Sequence, residues 1–345
     1  RALWASRWMQ RLFPIHKLPG IGWLQLPLPF VLSHINTWLL DDGDEIVVVD
    51  TGFDAEEIRG VWRNVLDNLP GGAAVSRVLV SHLHPDHVGC AGWLCSRLGA
   101  DLYMTREEYL LCRLLVADTG QPAPEGGRRF YHAAGFDERQ MALYVDRFGS
   151  FGRVVSPLPQ SYQRLQEGQE LEIGEYRWRV IVGTGHSVEH ACLYSEQANV
   201  LISGDQVLPK ITPNVSVFPT EPDGDPLKEW LRSSSRIREI LPNDLLVLPA
   251  HEAPFYGLHV RLSQLLEGHK QDLNQLFDLL SEPRRAVDCF EALFNRPIDD
   301  NSIGLATGET LAHLNCLLHR GRISRELDSN GIYRYQQIPE TAELD

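Results

Sequence analysis

Val78-Leu79-Val80-Ser81-His82-Leu83-His84-Pro85-Asp86-His87-Val88-Gly89 decides how this chain is read. A short apolar run, rich in β-branched residues, leads into His-x-His-x-Asp-His. The run reads as a buried strand. The four metal-binding side chains after it therefore sit at a strand's C-terminal end, where open α/β sheets place their chemistry. Two histidines at i and i+2 of an extended segment point the same way, so both can reach one ion. The Asp and His beyond them, as the chain turns, can reach a second ion nearby. Imidazole nitrogen and carboxylate oxygen suit zinc, and also iron or manganese.

Three later strands end on a ligand of the same kind. Arg179-Val180-Ile181-Val182 is followed by Gly183-Thr184-Gly185-His186-Ser187. Asn199-Val200-Leu201-Ile202-Ser203-Gly204 runs into Asp205. Leu245-Leu246-Val247-Leu248-Pro249-Ala250 runs into His251. A single histidine at such a place is more often a surface or core residue. Their recurrence at successive strand ends points to one shared site. The expected sets are His82, His84 and His186 on a first ion and Asp86, His87 and His251 on a second. Asp205 would bridge the two.

These motifs, together with Val47-Val48-Val49-Asp50-Thr51-Gly52, resemble those of the metallo-β-lactamase-fold hydrolase superfamily, over about residues 22 to 270. The resemblance implies an α/β fold, a four-layer αββα sandwich with the metals in a cleft at one edge of two sheets. It gives Asp50 the task of supporting a metal ligand from behind. It implies two divalent ions, zinc first, with iron or manganese able to use the same ligands. Their bridging water would lose a proton near neutral pH and attack an electrophilic carbon or phosphorus. Asp86 would orient that water or take its proton. Antibiotic-hydrolysing members of this fold lack the bridging Asp, and the oxygen-reducing branch usually has His-x-Glu for His-x-His. The full set is similar to glyoxalase II-like thioesterases, lactonases and phosphodiesterase or ribonuclease members, and of these reactions thioester, ester or lactone cleavage is the one expected. Hydrolysis of single-stranded RNA or another phosphodiester is the alternative, and β-lactam hydrolysis comes after it.

Around the site the chain reads as strands Gly22–Leu28 and His34–Leu40, a turn at Asp41–Asp44, and strand Glu45–Asp50. Helices are expected over Asp54–Leu69 and Gly89–Gly99. Residues 105–166 interrupt the strand pattern with a helix from Thr105 to Val116, a loop at Gly120–Gly127, and a helix from Asp137 to Phe148. This segment reads as a helical insertion, a lid that would offer Tyr109, Arg128, Arg129, Tyr131 and His132 to a substrate. Tyr131, His132 and His190 are candidate proton donors to a leaving group, and Lys210 is a candidate substrate cation. The domain reading is an N-terminal extension (1–21), a catalytic domain (22–281) and a C-terminal module (282–345). The module has a helix at Ala286–Leu293, another opening at Gly308 and running to His319, and a hairpin through Ile332–Tyr335. That order is similar to a small winged helix, with Arg320, Arg322, Arg325 and Arg334 as a candidate basic face.

Composition sets the outer limits. With 345 residues, 43% of them hydrophobic, the chain can bury a large core. A net charge of −14 argues against a general nucleic-acid surface and for a small-molecule substrate. The six cysteines form no Cys-x-x-Cys pair, which suits free thiols and a cytoplasmic location. No apolar run approaches the ~20 residues of a membrane span, and no visible stretch resembles a secretory signal. Trp and Leu residues among basic ones in residues 1–20 suggest a short amphipathic helix, and a surface for a homodimer.

Overall fold

The computed structural model describes residues 12–14, 19–29 and 32–338. Most of the expected N-terminal helix falls outside the described residues, and Leu12–Pro14 form a strand instead. Seven strands build the first sheet in chain order: β1 (Leu12–Pro14), β2 (Ile21–Pro27), β3 (His34–Asp42), β4 (Glu45–Val49), β5 (Ala74–Leu79), β6 (Asp101–Met104) and β7 (Gln163–Arg164). β1 to β4 form an antiparallel meander. β4 to β7 are parallel, so each step needs a crossover. The crossovers carry α1 (Glu56–Asp67), α2 (Pro85–Val88), α3 (Ala91–Leu98) and α4 (Arg106–Ala117).

The second sheet holds β8 (Glu170–Ile173), β9 (Tyr176–Gly183), β10 (His190–Ser195), β11 (Val200–Gly204), β12 (Leu246–Pro249) and β13 (Phe255–Tyr256), ordered β13-β12-β11-β10-β9-β8. The period-2 pattern of each strand explains the layering. In β4, Val47 and Val49 join Trp38, Trp178, Val180 and Ile202 in a core between the sheets. Ile46 and Val48 face the other way, into a second core with Trp62, Leu94, Tyr109 and Cys112 from the helices. The result is the expected α/β sandwich of two sheets flanked by helices.

The described chain divides into two compact units. Of the described residues, the first takes those up to Gly120, with Gly149–Pro213 and Ile237–Arg261, and contains both sheets. The second takes Gln121–Phe148, Asn214–Arg236 and those from Leu262 onward. It holds α5 (Glu125–Ala134), α6 (Glu138–Arg147), most of α7 (Pro226–Ile240), α8 (Leu258–Leu279) from Leu262 onward, and α9 (Ile303–His319). The hairpin β14 (Ile323–Leu327) and β15 (Tyr333–Gln337) completes it. The segment 105–166 is therefore not one body. Tyr109 and Cys112 of α4 are core residues of the first unit, whereas α5 and α6 belong to the second.

Three local expectations are corrected. Arg128–His132 lie inside α5, despite Gly126 and Gly127 at its start. Gly127 is required because the Tyr144 hydroxyl occupies the place of a β-carbon. Gly308 does not open a helix but lies within α9, where Ser216 passes 2.8 Å from where its β-carbon would stand. Ala286–Ala292 is 3-10 rather than α-helix. Among the expected basic residues, Arg325 pairs with Asp223 at 3.0 Å and Arg334 with Asp328 at 3.0 Å. Arg322 lies over the Phe277 ring. These contacts lie within the second unit and engage three of the four arginines, while Arg320 is exposed.

Trp178 is fully buried between the two sheets. Trp178→Ala is expected to lower unfolding stability by about 3–5 kcal/mol, read as a drop in denaturant midpoint. A change below 1 kcal/mol would mean the two sheets do not depend on this contact.

Candidate metal centre

All seven residues of the expected ligand set meet in the first unit, at the C-terminal ends of β5, β9, β11 and β12. His82 and His84 follow β5. Asp86 and His87 lie in α2, a single turn with Pro85 at its first position, where the missing N–H costs nothing. The expected helix over Gly89–Gly99 is thus two pieces, α2 and α3. Gly89, between them, admits the Gly52 carbonyl and the Asp54 N–H within 2.6 Å of where a β-carbon would stand. That approach locks the metal loop onto the loop after β4, and Thr51 completes it by donating N–H and Oγ1 to the His87 carbonyl, both at 2.8 Å.

The nitrogens and carboxylate oxygens converge. His82 Nε2 lies 2.9 Å from His84 Nδ1 and 3.2 Å from His186 Nε2. His251 Nε2 lies 3.3 Å from Asp86 Oδ2, and His87 Nε2 lies 3.7 Å from the same oxygen. Asp205 stands between these triads. Its Oδ2 is 3.5 Å from both His186 Nε2 and His87 Nε2, and its Oδ1 is 3.5 Å from His251 Nε2. Each triad can hold a metal ion, as can His82, His87 and Asp205 together.

The atoms left unsatisfied fit that use. His87 Nε2 and Asp205 Oδ1 are buried and have no hydrogen-bond partner. Such groups are costly unless something else meets them. The electrostatics agree. Burial alone would push His251 down, but Asp205 and Asp86 outweigh it and raise it to about 10. Burial would also lower His87, yet Asp205, Asp86 and Asp50 hold it well above its usual value. Burial would raise Asp205, and His251 and His87 pull it well below the carboxylate range. Burial, with His186 adding to it, depresses His84 to about 3, so the ring stays neutral with one nitrogen open as a ligand. The carboxylates demand positive charge here, and divalent cations would supply it.

The supporting contacts are equally specific. Asp50 adopts a left-handed backbone, φ 63°, a strain that non-glycine residues keep mainly at functional sites. Its Oδ2 is 2.8 Å from His87 Nδ1, and it accepts from both the N–H and the Oγ of Ser81. His190, a candidate proton donor by sequence, has another task. Its Nε2 accepts the Asp205 N–H at 3.1 Å, and its ring stacks on His82. Gly204 (φ 50°) is needed beside it, since a β-carbon there would strike the His190 ring. His251 is placed through Asn36, which is fully buried. Asn36 Nδ2 donates to the carbonyls of Pro249 and Glu252, and its N–H donates to Ala250.

Glu108, like Asn36, is a site residue that sequence reasoning missed. It is fully buried on α4 and accepts from Leu83 N–H (2.8 Å), Ser187 Oγ (2.5 Å) and Glu189 N–H (2.9 Å). One carboxylate thus ties the loop of His82 and His84 to the loop of His186. The other sequence candidates sit elsewhere. Tyr109 is a core residue whose hydroxyl donates to the Pro159 carbonyl. In the second unit, Tyr131 packs against Phe136 and Tyr144, with its phenol pushed by burial to about 12. His132 Nε2 meets the Asn330 carbonyl at 2.8 Å. Arg128 is half-buried and Arg129 exposed in the same unit. Lys210 is exposed in the first unit, on a loop pinned by Arg261, which donates to the Leu208 and Ile211 carbonyls.

Glu108→Ala would strand three donors, one buried and two partly buried, beside the first triad. It is expected to weaken metal affinity at least about 10-fold, as loss of a supporting contact typically does, with Glu108→Gln in between. Chelator competition reads this directly, and unchanged affinity in the alanine variant would remove Glu108 from the account.

Comparisons with known proteins place the chain in a family. The model of the "Metallo-beta-lactamase superfamily" matches residues 31–251, and that of the "Metallo-beta-lactamase-like, C-terminal domain" matches residues 273–338. A solved beta-lactamase domain protein from Burkholderia ambifaria is 38% identical, with TM-score 0.86, covering 95% of this chain and 94% of that one. A probable metallo-hydrolase of Bacillus subtilis is 21% identical, over 90% of this chain and 96% of its own length. An atrochrysone carboxyl ACP thioesterase of Emericella nidulans is 24% identical over 50% of this chain and 40% of its own length. With the family model covering well over half of the residues, the chain belongs to the metallo-β-lactamase superfamily.

Proposed function

We propose that this protein is a dinuclear-metal hydrolase of the glyoxalase II-like kind, and that it cleaves a thioester, ester or lactone. The observation that carries the reading is Asp205, whose two oxygens face ligands of both triads. Two divalent ions held there, zinc first, would acidify a shared water and stabilise an oxyanion. His82, His84 and His186 would hold one ion, Asp86, His87 and His251 the other, with Asp205 common to both. Asp86 is the most open acid of the cluster, its side chain 20% exposed against 10% for Asp205. It is therefore the carboxylate placed to orient the attacking water or to take its proton. His190 and Asp50 fix Asp205 and His87 from behind. No proton-transfer or substrate role is proposed for Tyr109, Tyr131 or His132, whose polar groups or ring faces are engaged elsewhere.

The bond class rests on two supports. A thioesterase-named relative shares part of the sequence. The acidic chain and the internally paired arginines of the C-terminal residues favour a small substrate over a polyanion. The winged-helix comparison for those residues is part of the same proposal and carries no nucleic-acid role.

The test is thiol release from a panel of acyl-CoA and acyl-glutathione thioesters by zinc-loaded protein. Release that is lost in Asp86→Ala is expected; none from protein holding two metals would exclude thioesters, and lactones and RNA would follow. Lys210→Ala is expected to raise KM for anionic substrates several-fold with kcat nearly unchanged, because the lysine supplies uniform binding only. A fall in kcat alone would contradict that role.

A further inference from the structure

A second group of side chains of metal-binding type lies wholly within the second unit. His269 and Asp272 are one turn apart on α8, and His313 faces them from α9. One ligand atom from each lies within 4.8 Å of the others. Both histidines are 1% exposed, while Asp272 is half-buried.

The hydrogen bonds fix what these rings can offer. His313 Nδ1 is 2.8 Å from the Glu309 carbonyl, which can only accept, so Nδ1 carries the proton. The lone pair of His313 is then on Nε2, and it faces His269 Nδ1 at 3.3 Å. A backbone carbonyl on the far nitrogen is the usual support of a metal-bound histidine. The 3.3 Å spacing is also informative. Ligands about 2.0–2.1 Å from a tetrahedral zinc stand about 3.3–3.4 Å apart. The corresponding nitrogens of His82 and His186 are 3.2 Å apart.

A neutral pair without a cation leaves a defect. If His269 donates from Nδ1, its Nε2 becomes a bare acceptor, and that atom is buried with no partner. If it is protonated on Nε2 instead, two lone pairs confront each other at 3.3 Å. Thr310 Oγ1, one turn before His313, is buried without a partner as well. A cation accepted by both rings and by Asp272 turns the facing lone pairs into bonds. The remaining N–H of His269 then has the Trp230 ring, centred 5.0 Å away, as its aromatic neighbour. Asp272, being half-buried, gives the site both its anionic ligand and a route from solvent.

We propose that His269, Asp272 and His313 bind one divalent transition-metal ion of the zinc class, separate from the catalytic pair, which staples α8 to α9. Two imidazoles and one carboxylate suit that class and not calcium or magnesium.

The experiment counts zinc in the full-length protein after stripping and reloading, by elemental mass spectrometry. A variant lacking the other cluster (His84→Ala, Asp86→Ala, His87→Ala, Asp205→Ala) is expected to retain one equivalent. Adding Asp272→Asn and His313→Gln removes it. Should the multiple variant fail to fold, Asp272→Asn alone is compared with the unaltered protein, and a loss of one equivalent is expected. Cobalt loading of the four-fold variant gives a second reading, a visible band that Asp272→Asn abolishes. No zinc in the folded four-fold variant, or an equivalent that survives loss of Asp272 and His313, overturns the proposal.

Discussion

The structure turns on a concentration of buried charge that the fold cannot neutralise unaided. Asp50, Asp86 and Asp205 converge on His87 and His251, in a place where water reaches little beyond the edge of Asp86. Isolated carboxylates at such depth cost several kcal/mol each. The surrounding sheets keep them because positive charge is meant to arrive. Everything near the cluster serves to hold seven side chains steady against that tension, by backbone strain at Asp50 and by glycines where atoms crowd.

Two buried polar residues transmit the fold to the site. Asn36, at the start of β3, reaches the backbone on either side of His251 and so couples the first sheet to the end of the second. Glu108, on α4, joins the loops of the first triad. Neither would touch a substrate or a metal. Both set distances between ligands that come from strands far apart in sequence, and catalytic geometry depends on tolerances of about 0.5 Å.

Much of this was legible in the chain itself. Strand-end ligands can be recognised because an apolar period-2 run fixes where each strand stops, and the polar side chains within a few residues of that stop emerge at the sheet edge. His82, His186, Asp205 and His251 all follow that rule. Glu108 could not be found this way. It sits in Thr105-Arg106-Glu107-Glu108, which reads as an ordinary helix start, and its partners are a turn of fold, not of sequence, away. His190 looked like a proton donor because nothing in sequence tells which backbone N–H its ring will meet. The second unit was illegible for another reason: it is assembled from three separated stretches, whose association depends on packing such as that of Gly308 under Ser216. The His269–Asp272 turn and His313 are likewise 41 residues apart at the nearest and share no motif.

The central claim is that the strand-end cluster is a two-metal site. Anomalous scattering from crystals of the zinc-loaded protein, collected on either side of the zinc edge, tests it directly. Two adjacent peaks are predicted, one ringed by His82, His84 and His186 and the other by Asp86, His87 and His251, with Asp205 touching both. A cluster with no peak, or a single ion that leaves either triad empty at saturating zinc, would contradict the account.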